Sequence, residues 1–239
     1  MKKTAKSSET VARAGDARSR NAQATRQSIL DAAIAEFCEH GLAGANTTRI
    51  VERAGCNIRM LYHYFQSKEQ LYKAALEKVY NDLRGNEVGL DIANRDPIEG
   101  IRMLTAFTYD YMAATPAFIR MVLAENQLEG EFIRTIESIP RSSRPLINSI
   151  QTLLARGETA GTVRPGINAM QLYISIVALS FIHISSRHTL SVTFGVDLSS
   201  PQTIIERKQH VVSLIETYVQ LQPNGVTDDR RPSSLEKRI

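Results

Sequence analysis

Between Asn46 and Lys68 the chain reads NTTRIVERAGCNIRMLYHYFQSK, two short apolar-periodic segments hinged on one Ala-Gly step, and few folds accommodate that string. Asn46 is suited to cap the free amides of a helix predicted over Thr47 to about Arg53. Gly55 supplies the left-handed backbone that ends such a helix at low cost, and Asn57 is placed to cap the next one. In that second segment Leu61 and Phe65 lie four apart and turn inward with Ile50 and Val51, which leaves Ile58, Arg59, Tyr62 and His63 near the outer face. The pattern predicts a helix-turn-helix followed at once by a third helix opened by Ser67, with Gln70 completing a capping box. A polar, aromatic face on a helix this short suits a major groove. Helical hairpins with glycine turns also occur in proteins that never touch DNA, so spacing alone leaves both readings open.

The residues themselves are more specific than their spacing. Ala54-Gly55, followed by Leu61-Tyr62-His63-Tyr64-Phe65-Gln66-Ser67-Lys68-Glu69-Gln70-Leu71, resembles the DNA-binding domain of the tetracycline-repressor (TetR) family. The resemblance covers about Arg26 to Tyr80, including the preceding SILDAAIAEFCEHG, and nothing comparable marks the rest of the chain. It implies that Thr47, Thr48, Ile58, Arg59, Met60, Tyr62, Tyr64 and Lys68 meet DNA, with Asn57 and His63 beside them. Thr47, the two tyrosine hydroxyls and the Lys68 ammonium suit phosphate oxygens, which set register without reading sequence. Arg59 suits a bidentate pair to guanine, Ile58 and Met60 suit thymine methyls, and His63 suits a base edge or a phosphate. The chain departs from the family at Ile58 and Arg59, where Lys and a small residue are frequent, and at Asn57, where Ser is usual. The operator sequence is therefore not carried over.

The whole chain reads as all-α, and the resemblance implies an N-terminal three-helix helix-turn-helix domain plus a C-terminal helical ligand-binding and dimerisation domain. Trp is absent, and the 239 residues hold 13 Gly and 8 Pro. Apolar residues recur at three- and four-residue spacing rather than in alternation. The longest apolar run, Leu172 to Ile184, is interrupted by Ser and His and is short for a membrane span. No hydrophobic signal core opens the chain, and a cytoplasmic protein without membrane attachment is expected. Residues 1–30 carry seven basic and two acidic side chains, a local +5 within a total of +4. That excess sits on an arm, residues 1–24, expected to be disordered and able to reach phosphate. Cys38 and Cys56 lack the clustered partners of a zinc site and read as buried packing residues; no metal or cofactor is expected. An enzyme using Glu125, His183 and His188 as acid-base groups finds no nucleophile elbow or phosphate loop in support. The expected protein is not an enzyme; the alternative is a helical dimeric ligand-binding protein or enzyme without DNA function.

Along the chain, a first helix is predicted from near Thr25 to His40, closed by Gly41. The DNA-binding unit then spans 25–84 and includes a connecting helix from Lys68 to about Arg84. Gly85 to Arg95 reads as a loop, and a second domain is expected over 96–222. Within it Asp96-Pro97-Ile98-Glu99 opens a helix, Thr115-Pro116 another, and Pro140 ends a short segment before a helix from about Arg144 to Ala160. Two broadly apolar helices follow, about Ala169 to Leu190 and Pro201 to Leu221, and a polar tail, 223–239, is expected to be disordered. The family resemblance implies that the last two helices pair in a homodimer across a two-fold axis. It also implies that residues from about 97 to 190 enclose an effector pocket. Met103, Phe107, Tyr111, Phe118, Met121, Phe132, Tyr173 and Phe181 are the apolar candidates, with Glu125, Asn126, Gln127, His183 and Arg187 as orienting polar groups. A small aromatic or carboxylate effector suits that set, and most of its members are equally at home in an ordinary core. The partners implied are a double-stranded DNA operator, such an effector and a second copy of the chain.

Overall fold

The computed structural model describes the backbone of residues 5–221 and the side chains of residues 20–221. Nine α-helices run through the described residues: α1 Ala5–Gly44, α2 Thr47–Ala54, α3 Ile58–Phe65, α4 Lys68–Val88, α5 Pro97–Ala114, α6 Pro116–Gln127, α7 Ser138–Thr159, α8 Ala169–Phe194 and α9 Pro201–Val219. Two 3-10 turns, Ile92–Asn94 and Ile133–Thr135, lie before α5 and α7. No strand occurs among the described residues, and the all-α expectation holds.

The capping devices work as the residue types require at Asp96 and Ser67, with one economy, whereas Thr115 makes no side-chain capping bond and α6 opens on Pro116 alone. Asp96 accepts from the amides of Ile98 and Glu99 at 3.1 and 3.2 Å. Ser67 accepts from Gln70 at 3.1 Å. The return arm of each capping box is spent elsewhere, because Glu99 pairs with Arg102 at 2.6 Å and the Ser67 amide donates to the Phe65 carbonyl at 2.7 Å. At Gly41 φ is +64°, which breaks α1 where a glycine alone is comfortable.

Several boundaries differ from expectation. Helix α1 reaches back to Ala5, so residues 5–24 are helical rather than disordered: the segment is rich in Ala and Arg and contains no proline, which favours continuation. The side chains of Lys2, Lys3, Lys6, Arg13 and Arg18, like the tail 223–239, lie outside the described residues. Helix α4 passes through Gly85 to Val88 because Leu83 and Glu87 remain buried on its inner face. Pro140 stands in the first turn of α7 instead of ending a segment, a position where its missing amide is not needed. Helix α8 continues to Phe194 and is long and apolar enough by length and composition to cross a membrane, which the shorter run had not suggested. Its buried stripe, Leu172, Ile176, Ser180, His183 and Ile184, packs on the protein's own core.

Helices α1, α2 and α3 pack around Ile29, Phe37, Ile50, Leu61 and Phe65, each 4% exposed or less. That core continues through α4 into α5 and α6. A second core joins α5, α7, α8 and α9 through Leu104, Leu153, Ile176 and Val219. The end of α9 is clipped to the α7–α8 turn: Arg164 N donates to Val219 O at 2.9 Å and Leu221 N to Thr162 O at 3.0 Å.

Candidate nucleic-acid interface

Helix α3 has one face for the core and one for solvent. Leu61 and Phe65 are buried, while Ile58, Arg59, Tyr62 and His63 are exposed, Tyr62 by 47%. Its start is fixed by Asn57, whose side chain accepts from Met60 N at 3.1 Å, and its entry by Gly55 at φ +66°. Asn57, a candidate for DNA, therefore spends an acceptor on the helix it begins. Asn46 does the same for α2, accepting from Thr48 N at 2.7 Å. Thr48 is exposed and Thr47 half-buried at the head of α2. Met60 and Tyr64 are half-buried; the Tyr64 ring meets His63 and Phe65 edge-on at 5.1 and 6.5 Å. Lys68, also half-buried, donates to the Ala45 carbonyl at 3.3 Å, so its ammonium stands between α4 and the start of α2.

Two groups that sequence reasoning passed over hold this unit together. Glu36 on α1 is fully buried, and its carboxylate accepts from Asn46 N at 2.9 Å and from Arg49 Nε at 2.8 Å. Burial raises its pKa, but the Arg49 guanidinium and the Asn46 amide outweigh that and hold the carboxyl below its ordinary value. The signal was present: Glu36 stands seven residues after Ile29 and three after Ala33, on the inner stripe of α1. Arg26, also on α1, stacks over the Phe65 ring at 4.9 Å. Glu39 and His40 complete a cluster with Glu36 whose ligand-type atoms lie within 4.8 Å, but Arg49 and Arg53 already pair with its two carboxylates.

The candidate effector residues do not converge on one cavity. Phe118 and Met121 are core, and Phe107 and Tyr111 are half-buried rings grouped with Phe118. Met103 lies on an outer groove with Lys208 and Val212. Glu125 is buried, and its Oε1 accepts from the amides of Phe132 and Ile133 at 2.7 and 2.8 Å, so it shapes the turn after α6. Asn126 is exposed, and Phe181 and Arg187 are half-buried. His183 is a satisfied core histidine: Tyr109 OH donates to Nδ1 at 2.5 Å and Nε2–H to the Leu198 carbonyl at 3.0 Å, while burial lowers its pKa. Tyr173 OH donates to Glu87 at 2.9 Å and accepts from Arg84 at 3.1 Å, closing a polar triad with the Arg84–Glu87 ion pair between α4 and α8. Burial raises the Glu87 pKa, with Arg84 and the Tyr173 hydroxyl opposing it. Cys38 and Cys56 are half-buried, and burial pushes the Cys38 thiol up to about 11.

A face of large apolar side chains is left exposed on the last two helices. Met170, Ile174 and Ile182 lie on one stripe of α8, and Leu214 and Tyr218 lie four apart on α9 with Ile205 on the opposite side of that helix, all between 43% and 51% exposed.

Comparison with known proteins bears on both halves. Residues 29–75 match the family described as "Bacterial regulatory proteins, tetR family", and residues 97–215 match "Tetracyclin repressor-like, C-terminal domain". The chain is 32% identical over 185 residues to the HTH-type transcriptional repressor NicS of Pseudomonas putida, covering 77% of this chain and 87% of that protein. It is 33% identical over 164 residues to the HTH-type transcriptional repressor SCO4008 of Streptomyces coelicolor, covering 67% and 79%. Among solved structures, a TetR transcriptional regulator from Chloroflexus aurantiacus superposes with a TM-score of 0.64 at 21% identity, over 85% of this chain and all of the other.

Proposed function

The chain belongs to the TetR family of DNA-binding transcriptional regulators, and on that premise we propose a homodimeric repressor that blocks transcription by occupying an operator and leaves it when a small molecule binds. The observation that carries the DNA half is α3 itself. Its inner face is locked by Leu61 and Phe65, which presents Ile58, Arg59, Tyr62 and His63 as a rigid outward surface. In this reading Arg59 reads a base, and Thr47, Tyr62, Tyr64 and Lys68 set register on phosphates. Residues 25–84 form the DNA-binding unit and 96–222 the effector and dimer domain.

The large apolar side chains left exposed on α8 and α9 support dimerisation, since exposed apolar surface of this kind marks an interface. A two-fold dimer with one reading helix per subunit addresses half-sites about one DNA turn apart or somewhat more. An effector acts by binding the two conformations of the dimer unequally. A protein that works on genomic DNA belongs in the cytoplasm, and none of the proposed steps is catalytic.

Mobility shift of the purified protein on its own upstream intergenic DNA, with unrelated competitor and a salt series, tests the reading. A discrete, competitor-resistant complex is expected. Arg59→Ala should lose about 1–3 kcal/mol of preference at one base pair, whereas Lys68→Ala should weaken binding to all sequences alike. Equal losses for Arg59→Ala on matched and scrambled operators would remove its reading role. Only weak, salt-labile, sequence-blind binding would return the chain to the alternative of a ligand-binding dimer.

A further inference from the structure

Helices α3 and α4 are joined through a single residue: Phe65 ends the first and Ser67 caps the second. That residue, Gln66, stands at φ +65° and ψ −47°, whereas Asp91, another non-glycine residue with positive φ, sits in the ordinary left-handed well at 45° and 44°. Across Gln66 the Ser67 amide donates to the Phe65 carbonyl at 2.7 Å, two residues back, which makes the joint a γ-turn of the rare, strained kind. A side chain in that conformation costs energy and persists only where the surrounding structure leaves it no other choice. We propose that this turn holds the reading helix in register with α4, so that Gln66 is a positioning residue for DNA recognition. The proposal rests on the regulator reading above and deepens it.

Both ends of the turn are anchored. On the α3 side Phe65 is buried with the Arg26 guanidinium stacked on its ring, and the Gln66 amide donates to the Tyr62 carbonyl at 2.9 Å. On the α4 side Ser67 Oγ accepts from Gln70 N at 3.1 Å, Leu71 and Tyr72 are fully buried, and Lys68 Nζ reaches the Ala45 carbonyl at 3.3 Å. The Gln66 side chain itself is exposed and makes no hydrogen bond, ion pair or ring contact among the described residues. What this residue contributes, it contributes through its backbone.

The joint lies between two contacts of different kinds. Arg59 on α3 is assigned to a base and Lys68 on α4 to a phosphate, and the chain path from one to the other runs through φ and ψ of Gln66. A residue that bears a Cβ has few allowed conformations at positive φ, so around it the turn is either kept or lost whole. Glycine opens that region and lets α3 and the head of α4 shift against each other. It also relieves the strain. Relief of strain and loss of register therefore come from the same substitution, and fold stability and operator recognition should move in opposite directions, which a residue with a purely structural role would not produce.

Thermal melts and mobility shift on the full chain test this, with Gln66→Gly and Gln66→Ala beside the parent. Gln66→Ala keeps the Cβ and the strain and should match the parent in both assays. Gln66→Gly should melt about 2–4 °C above Gln66→Ala, net of the freedom that glycine gains in the unfolded chain. On the protein's upstream intergenic DNA Gln66→Gly should bind roughly fivefold more weakly or worse, with binding to scrambled DNA unchanged, because phosphate attraction alone does not need the register. If Gln66→Gly melts no higher than Gln66→Ala, the turn stores no strain. If Gln66→Gly holds the operator as tightly as the parent, the turn positions nothing. If Gln66→Ala loses as much affinity as Gln66→Gly, the role belongs to the side chain. Each of these results overturns the proposal. A parent that forms no discrete complex removes the regulator reading and the recognition role together, and the melts, which need no DNA, still report the strain. A parent that binds its operator while Gln66→Gly binds it equally well keeps the regulator reading and loses the proposal alone.

Discussion

Replacing Glu36 by Gln asks what one buried carboxylate contributes to the geometry of the reading head. The substitution keeps the shape and one acceptor but removes the charge that receives Asn46 N–H at 2.9 Å and Arg49 Nε at 2.8 Å. A hydrogen bond to a charged group contributes about 1.5–3 kcal/mol and a neutral one about 0.5–1.5, so the backbone contact should lose roughly 1 kcal/mol. The Arg49 side chain is 45% exposed, so its pairing is screened by solvent and adds little to that loss. The new amide also brings a donor towards the position of Oε2, which is buried and without a partner. Together these come to about 2 kcal/mol, or roughly 4–8 °C in melting temperature for a chain of this size. The same substitution loosens the start of α2 against α1 and should weaken operator binding in mobility shift. The pH dependence is a sharper test. The folded carboxyl titrates below its ordinary value near 4.5, so its contribution is fully present above that value and is lost as the pH falls through the lower folded value. The gap in melting temperature between parent and Glu36→Gln should therefore be full at neutral pH and close in acid, as the pH falls through the lowered folded value. A gap under about 1 °C at neutral pH, or one that does not close in acid, would refute the argument.

Two further outcomes follow from packing. A Cβ on Gly157 would stand 2.3 Å from Val163 Cγ2 and 3.0 Å from Pro97 Cβ, so Gly157→Ala should cost about 1–3 kcal/mol in denaturant titration. Stability unchanged within about 0.5 kcal/mol would mean that the α7–α8 turn yields freely. Ile182→Asp combined with Leu214→Asp places charges on the exposed stripes of α8 and α9 and should give a folded monomer by light scattering with unchanged helical circular dichroism. A dimer that survives both changes would place the subunit interface elsewhere.

The reading head was legible because its constraints are local. Asn46, Gly55, Asn57 and Ser67 each act within a few residues, and the i to i+4 spacing of Leu61 and Phe65 fixes which side of α3 faces out. The effector half was not, because the groups that matter there meet across long stretches of chain. Arg84 and Glu87 look like an exposed helical pair until Tyr173 arrives from α8. Glu125 looks like a ligand group until the Phe132 and Ile133 amides fold back on it. Helix ends were misjudged where burial overrode propensity, as at Gly85, or where proline stood in a first turn, as at Pro140.

The clip between α9 and the α7–α8 turn bears on the order in which the protein takes shape during synthesis. Val219 and Ile215 close the second core against α5 residues made more than a hundred positions earlier, so that core stays open until the final helix has been translated. The residues of the reading head are all made by Arg84, 137 positions before Leu221. At about 5–20 residues per second the chain spends roughly 7–27 s with its DNA-binding helices complete and the end of α9 unmade. On the proposed dimeric reading, a newborn chain is in that interval a single half-site reader, unable to span an operator.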